Sequence, residues 1–422
     1  MKLRHTLGNL LLAAGAAAFT LLLLEGALRV LGLGAATEQA TLLTRYDSVL
    51  GWSKTPGASA TNVTSEYRAT ERINAHGLRG PERSLGKTPG TRRVLLLGDS
   101  FLEGYTVEEE ALLSTVLEER LAAADPEGHY EVINGGTAGY STDQELLFFD
   151  HIGAGYRPDV TVLLFYVNDV WFNGQDHYWR GAKPYFELAE DGTLSLHNVP
   201  VPPPDPDAFA FAVEGGTGLT GAIRRVDGWL GAHSRVYFLL RSSVLQTPIV
   251  RGFMIRQGLA EVPGEWAAWS ADPGPAVVHA WRLTEALLAE LRDHVRAAGS
   301  SFVVYYVPSR AAVDDADWQR TRRAYAMDGA EWSPSQDATV LARVCTRQGL
   351  DCLIDVDGFR TEQARLAAEG AALYYQRDAH WTDQGHRFAA DAIALRVRAL
   401  LAAAPEAERG AEPSGGARPP SG

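Results

Sequence analysis

Five short apolar runs, spaced along the chain and separated by helical patterning, set the main constraint on what this sequence can fold into. The first, at 93–98, reads RVLLLG, and others lie at 131–133, 160–167, 302–307 and 352–356. Apolar runs this short, without polar alternation, suit strands buried on both faces. Helical segments at 108–124, 143–152, 279–298, 338–347 and 361–368 alternate with them, and a last one spans 382–403. Alternation of this kind predicts an α/β fold, a parallel sheet with helices on both faces.

Two stretches stand outside the alternation. Residues 36–90 carry scattered turn signals and read as an irregular lead-in packed onto the main domain at 91–403. Residues 173–275 contain no clean βα unit. They hold the run VPVPPP at 199–204 and a helical-looking segment near 235–250, and read as a large insertion over a sheet edge or the site's mouth, or as a small second domain. Residues 404–422 have no large apolar side chain and predict a disordered tail.

Chemistry gathers at the strand ends, where open α/β sheets bind ligands. The first run ends in Gly98-Asp99-Ser100, a turn that can present a serine hydroxyl or cap the next helix. The second runs into NGGTAGY at 134–140, a loop whose backbone N–H groups suit an anion. It is not a Walker loop, because no Gly-Lys-Ser/Thr follows. The third ends in Tyr166-Val167-Asn168-Asp169, where Asn168 offers a side-chain donor to developing negative charge or caps a turn. Near the C-terminus, RDAHWTDQGH at 377–386 sets Asp378 two residues before His380, able to fix its tautomer. Asp383 and His386 repeat an acid–His spacing, but Thr382 reads as an N-cap, which puts His386 on the helix in a structural role.

Serine, a glycine loop, asparagine and an Asp-x-His, in that order, resemble the four blocks of the SGNH (GDSL-like) hydrolase superfamily. The resemblance covers about 93–403, interrupted by the insertion. It implies a flavodoxin-like three-layer α/β/α sandwich with a mainly parallel five-stranded sheet. It also implies Ser100 as nucleophile, His380 as base and Asp378 as its orienting carboxylate. The oxyanion hole would be formed by the N–H groups of Ser100 and Gly139 and the side chain of Asn168. Gly385, five residues after His380, matches the glycine that follows the family's catalytic histidine and sets His386 aside. Two positions depart from the pattern: Tyr166 replaces a glycine of the third block, and Arg377 stands where the aspartate usually lies. The Asp-x-His-Trp version is similar to that of the alginate O-acetylation proteins.

The implied function is a serine ester hydrolase acting on O-acyl groups of a glycan or cell-envelope polymer, with an O-acyltransferase as its close variant. The other class is a non-catalytic polysaccharide-binding or assembly module, which has no need of a nucleophile–base pair. No cofactor is called for, and the eleven histidines show no metal-ligand spacing. With Lys plus Arg at 39 and Asp plus Glu at 52, the net charge of −13 argues against a nucleic-acid partner. Trp171, Tyr178 and Trp179 read either as a sugar-stacking platform or as packing.

The N-terminus gives the expected address. Lys2 and Arg4 precede an uncharged stretch from Leu7 to Leu24, and apolar character persists to Leu31. This predicts an uncleaved signal anchor over 1–35, single-pass, with the remainder extracytoplasmic. There Cys345 and Cys352, with six residues between them, either pair or remain two buried thiols.

Overall fold

The computed structural model describes residues 15–16, 19–30, 43–204, 229–230, 233–237, 247–258 and 260–403. Its centre is one five-stranded sheet: β1 (Thr91–Leu97), β2 (His129–Asn134), β3 (Val160–Phe165), β4 (Ser301–Tyr306) and β5 (Asp351–Leu353), in the spatial order 5-4-3-1-2. All four pairings are parallel. This is the flavodoxin-like order, whose switch point lies between the C-terminal ends of β1 and β3.

The unbroken apolar runs form these strands because both faces are covered. On β1, Val94 and Leu96 face one core, shared with α1 (Leu113–Ala124), α5 (Val356–Ala368) and α6 (Asp383–Ala403). Leu95 and Leu97 face the other, built with α2 (Thr142–His151), α3 (Pro275–Ala297) and α4 (Gln336–Gln348). All four of these β1 side chains are fully buried, at about 25 cal/mol per Å² of apolar surface removed from water. Three layers result, as the sequence implied, and each strand and helix expected in the α/β alternation is present with ends shifted by a few residues, whereas most of the helical-looking segment near 235–250 lies outside the described residues.

The lead-in is more regular than expected. It holds two antiparallel hairpins, Thr44–Asp47 with Gly51–Lys54 and Ser59–Val63 with Arg68–Arg72. The strand Arg68–Arg72 alternates exposed and buried residues, but its buried pair is Ala69 and Glu71, so no hydrophobic period marks it. Within the insertion, the described residues form a hairpin (Tyr185–Leu188 with Leu194–His197) and the helices Pro248–Arg256 and Gly264–Ala267.

The expected anchor gains no support. Among the described residues, no helix is long and apolar enough to cross a membrane. The described residues 19–30 are helical. They include Glu25, which accepts from the backbone of Arg235 and Val236 and from the Ser234 hydroxyl. Apart from residues 15–16, the rest of the expected span lies outside the described residues, as does the tail at 404–422.

Candidate active site

Ser100 opens a single helical turn, Ser100–Glu103, just past the end of β1. The cap of that turn is Asp99, whose Oδ1 accepts from the Phe101 N–H at 2.9 Å. Ser100 is thereby spared the capping role, and its Oγ lies 2.8 Å from His380 Nε2. The turn stops at Gly104, in the left-handed conformation, whose N–H donates to the Ser100 carbonyl at 3.0 Å.

His380 and Asp378 share a tight loop. Tyr374 and Trp381 bridge across it, and the Tyr375 N–H donates to the His380 carbonyl at 2.9 Å. Between the two, Ala379 adopts φ = 67°, a left-handed conformation uncommon for a residue with a Cβ. This reversal brings acid and imidazole together although only one residue separates them: His380 Nδ1 lies 2.7 Å from Asp378 Oδ1. Burial works against the Asp378 charge, but hydrogen bonds from His380, Tyr67 and Tyr105 hold its carboxyl below the usual range. An ionised Asp378 selects the Nδ1–H tautomer and leaves Nε2 to accept from Ser100.

Asn168 begins a short helix after β3 and is almost fully buried. Its Nδ2 donates to Asp99 Oδ2 at 3.2 Å, which orients the amide, and the amide also hydrogen-bonds the Tyr178 side chain. In the glycine loop, the Ala138 and Tyr140 N–H groups are engaged by Glu103 and Thr137, whereas the Gly139 N–H has no protein acceptor among the described residues. Gly139 has φ = 83°, and a Cβ there would lie 2.8 Å from Trp179 Nε1 and 3.1 Å from the Tyr178 ring. The Ser100 N–H, first in its turn, has no intrahelical acceptor. The three expected donors thus border the Ser100 turn.

The two departures also have structural outcomes. Tyr166 lies 4.8 Å from the Phe101 ring, which itself lies 4.6 Å from His380, so the tyrosine backs an aromatic wall behind the imidazole. Arg377 is exposed and turned toward Ser65, and of these two residues it is Asp378 that meets the histidine. His386 is structural: it is buried on α6, its Nδ1 accepts from the Leu113 N–H at 3.3 Å, and burial pushes its pKa down to about 3. Gly385 is required by crowding, since a Cβ would meet the Leu373 carbonyl at 2.5 Å. Cys345 and Cys352 form a disulfide that joins α4 to β5. Trp171 and Tyr178 pack against the core, whereas Trp179 is 57% exposed, with the Arg180 guanidinium 4.0 Å from its ring centre.

Sequence reasoning missed a set of residues around the triad. The Tyr105 hydroxyl donates to Asp378 Oδ1 at 2.9 Å, and the Tyr67 hydroxyl to Oδ2 at 2.8 Å. Burial and the neighbouring Asp378 push both phenols well up, so both remain protonated donors. Glu103, at the end of the serine turn, accepts from Ala138 in the glycine loop and pairs with buried Lys54 from the lead-in. Arg79 donates to the Glu103 and Val107 carbonyls at 2.7 and 2.6 Å. None of these belongs to a motif; a buried lysine and arginine in a lead-in with few apolar runs were the available signal.

Residues 277–420 match the family described as SGNH hydrolase-like domain, acetyltransferase AlgX. The match includes Asp378 and His380 and leaves Ser100, Gly139 and Asn168 outside it. The sequence finds no significant match among curated proteins. Among solved structures the chain is similar to an acetylxylan esterase from Geobacillus stearothermophilus, at 13% identity over 75% of this chain and 96% of that one, with a TM-score of 0.36. It is also similar to an α/β hydrolase from the metagenome of Lake Arreo, Spain, at 12% identity over 73% and 96% of the two chains, with a TM-score of 0.36. Together with the parallel sheet and the hydrogen-bonded Ser–His–Asp chain at its C-terminal edge, the match makes residues 277–420 similar to the SGNH hydrolase-like domain of the AlgX acetyltransferase family, a likeness that supports an esterase or acyltransferase acting on ester bonds.

Proposed function

We propose that the chain transfers O-acyl groups of a carbohydrate through an acyl-enzyme formed on Ser100. The carrying observation is the unbroken chain from Ser100 Oγ through His380 to Asp378, at 2.8 and 2.7 Å. His380 Nε2 takes the Ser100 proton as Oγ attacks the ester carbonyl, and Asp378 stabilises the imidazolium that forms. The tetrahedral oxyanion takes the N–H groups of Ser100 and Gly139 and the side-chain amide of Asn168. The imidazolium then protonates the departing sugar oxygen, and water or a second hydroxyl, deprotonated by His380, releases the acyl group.

A carbohydrate substrate is supported by the AlgX likeness and by Trp179, whose exposed indole borders Gly139. Such a ring offers an apolar face to a sugar while remaining wet on the other side. The Cys345–Cys352 disulfide supports an exported, extracytoplasmic domain, where such bonds persist. The apolar N-terminus supports tethering to the membrane.

A fluorophosphonate probe and an acyl-donor panel test the reading. Labelling and p-nitrophenyl acetate turnover that vanish in Ser100→Ala support it; an unlabelled, inert wild type overturns it. Trp179→Ala should raise KM for acetylated oligosaccharides while leaving KM for p-nitrophenyl acetate unchanged. Equal effects on both substrates would remove the carbohydrate assignment. The mature N-terminus decides the tether: a start near residue 20 would mean a cleaved signal.

A further inference from the structure

The hairpin of the lead-in, Ser59–Val63 with Arg68–Arg72, ends in a tip that touches the triad. That tip is internally fixed: the Thr64 hydroxyl oxygen accepts from the N–H groups of Glu66 and Tyr67, both at 3.1 Å, and the Thr64 N–H donates to the Tyr67 carbonyl at 2.9 Å. From it the Glu66 carboxylate accepts the Asp378 N–H at 3.0 Å and the Arg377 N–H at 3.0 Å to each oxygen. The next residue, Tyr67, donates to Asp378 Oδ2 at 2.8 Å and lies 4.9 Å from the Tyr375 ring on the same loop. One hairpin tip thus holds the backbone and the side chain of a single aspartate.

We propose that Glu66 and Tyr67 are positioning residues for Asp378, supplied by a segment that lies outside the SGNH-like blocks. The need follows from the short Asp-x-His spacing. With one intervening residue, the pair meets only if Ala379 holds its left-handed backbone, a conformation of order 1–3 kcal/mol uphill that persists only where its surroundings enforce it. Glu66 anchors the backbone immediately before that reversal, and Tyr67 fixes the carboxylate plane so that Oδ1 faces Nδ1. Together with Tyr105 and His380, Tyr67 gives the carboxylate three donors, which favour its charged form. The inference rests on the reading of Ser100, His380 and Asp378 as the triad.

Tyr67→Phe keeps the ring on Tyr375 and removes only the hydroxyl. At unchanged KM for p-nitrophenyl acetate, kcat should fall about ten- to a hundredfold, the scale of one hydrogen bond to a charged group. The acid limb of kcat/KM should move to higher pH, because Asp378 loses a donor that favours its carboxylate. In an Asp378→Asn background the same substitution should have little further effect. An equal loss in both backgrounds, or a lower Tm with an unmoved pH profile, would overturn the proposal. Glu66→Gln gives a second variant, with a smaller kcat loss and the same direction of limb shift expected. A readout independent of turnover is the downfield proton resonance of His380 Nδ1–H, which should shift in Tyr67→Phe. If the wild type is inert yet that resonance shifts, the ester-acting reading fails while the positioning role stands; an unmoved resonance rejects the role itself.

Discussion

Asn168 donates through Nδ2 to Asp99 Oδ2 at 3.2 Å, and both residues are buried beside the serine turn. The other oxygen of Asp99 caps that turn, so one carboxylate sets both the start of the helix carrying Ser100 and the direction of the asparagine amide. Asp99→Asn places an amide N–H₂ against Nδ2 and favours a flip that turns Asn168 Oδ1 toward the oxyanion. A kcat loss of about 10²–10³ is expected, the scale of one lost oxyanion donor, with KM little changed. Asn168→Ala should lose a similar amount, and the double variant little more than either. Additive losses in p-nitrophenyl acetate turnover would refute the coupling.

Lys54 and Glu103 form an ion pair in which both side chains are almost completely buried. Burial raises the Glu103 carboxyl, but Lys54 and Arg180 outweigh it and leave the group charged. Removing one partner of a buried pair typically costs about 3–5 kcal/mol. Lys54→Met should lose about that much in denaturant unfolding, and Lys54→Met with Glu103→Gln should recover part of it. A loss below about 1 kcal/mol, the range of surface pairs, would contradict the burial argument.

Stability should also depend on a carboxyl far from Ser100. Burial raises Asp337 to about 7, and the Tyr306 hydroxyl donates to it at 2.8 Å. Its folded pKa lies above the unfolded value of about 3.9. The native state therefore binds the proton more tightly, and the contribution is full below about pH 4 and lost as pH rises through about 7. Asp337→Asn cannot titrate. The Tm of the wild type relative to this variant should fall between about pH 4 and 8; a constant difference would exclude Asp337 as the source.

The Cys345–Cys352 disulfide closes a short loop between α4 and β5. Loop-closure entropy for roughly eight residues gives about 2–3 kcal/mol. The Cys345→Ser, Cys352→Ser double variant should show that loss in unfolding experiments while p-nitrophenyl acetate turnover at 25 °C is retained. Loss of turnover in a folded double variant would tie the disulfide to the site.

The sheet was legible because its strands are buried on both faces, and that environment admits only apolar side chains: Leu95, Leu96 and Leu97 could hardly be anything but a central strand. Ser100, Asn168, Asp378 and His380 were legible for the opposite reason, as polar residues clustered where strands end. What escaped was structure held by buried charge. The strand containing Glu71 has the right alternation, but it is written in a carboxylate and its partners instead of in valine or leucine. Tyr67 and Tyr105 are separated from Asp378 by about three hundred residues, and neither lies in a motif. Ala379 carries no sign of its left-handed backbone, which its neighbours impose.

The proposed nucleophile and base come from opposite ends of the folded region, Ser100 and His380 being 280 positions apart. During synthesis Ser100 emerges long before the loop that carries His380, and domains fold as units once their segments are available. A nascent or C-terminally truncated chain therefore exposes an ordinary serine hydroxyl with no base beside it. On the proposed mechanism, ester-cleaving power arrives only when the loop carrying His380 docks, so incomplete copies of the chain are chemically silent.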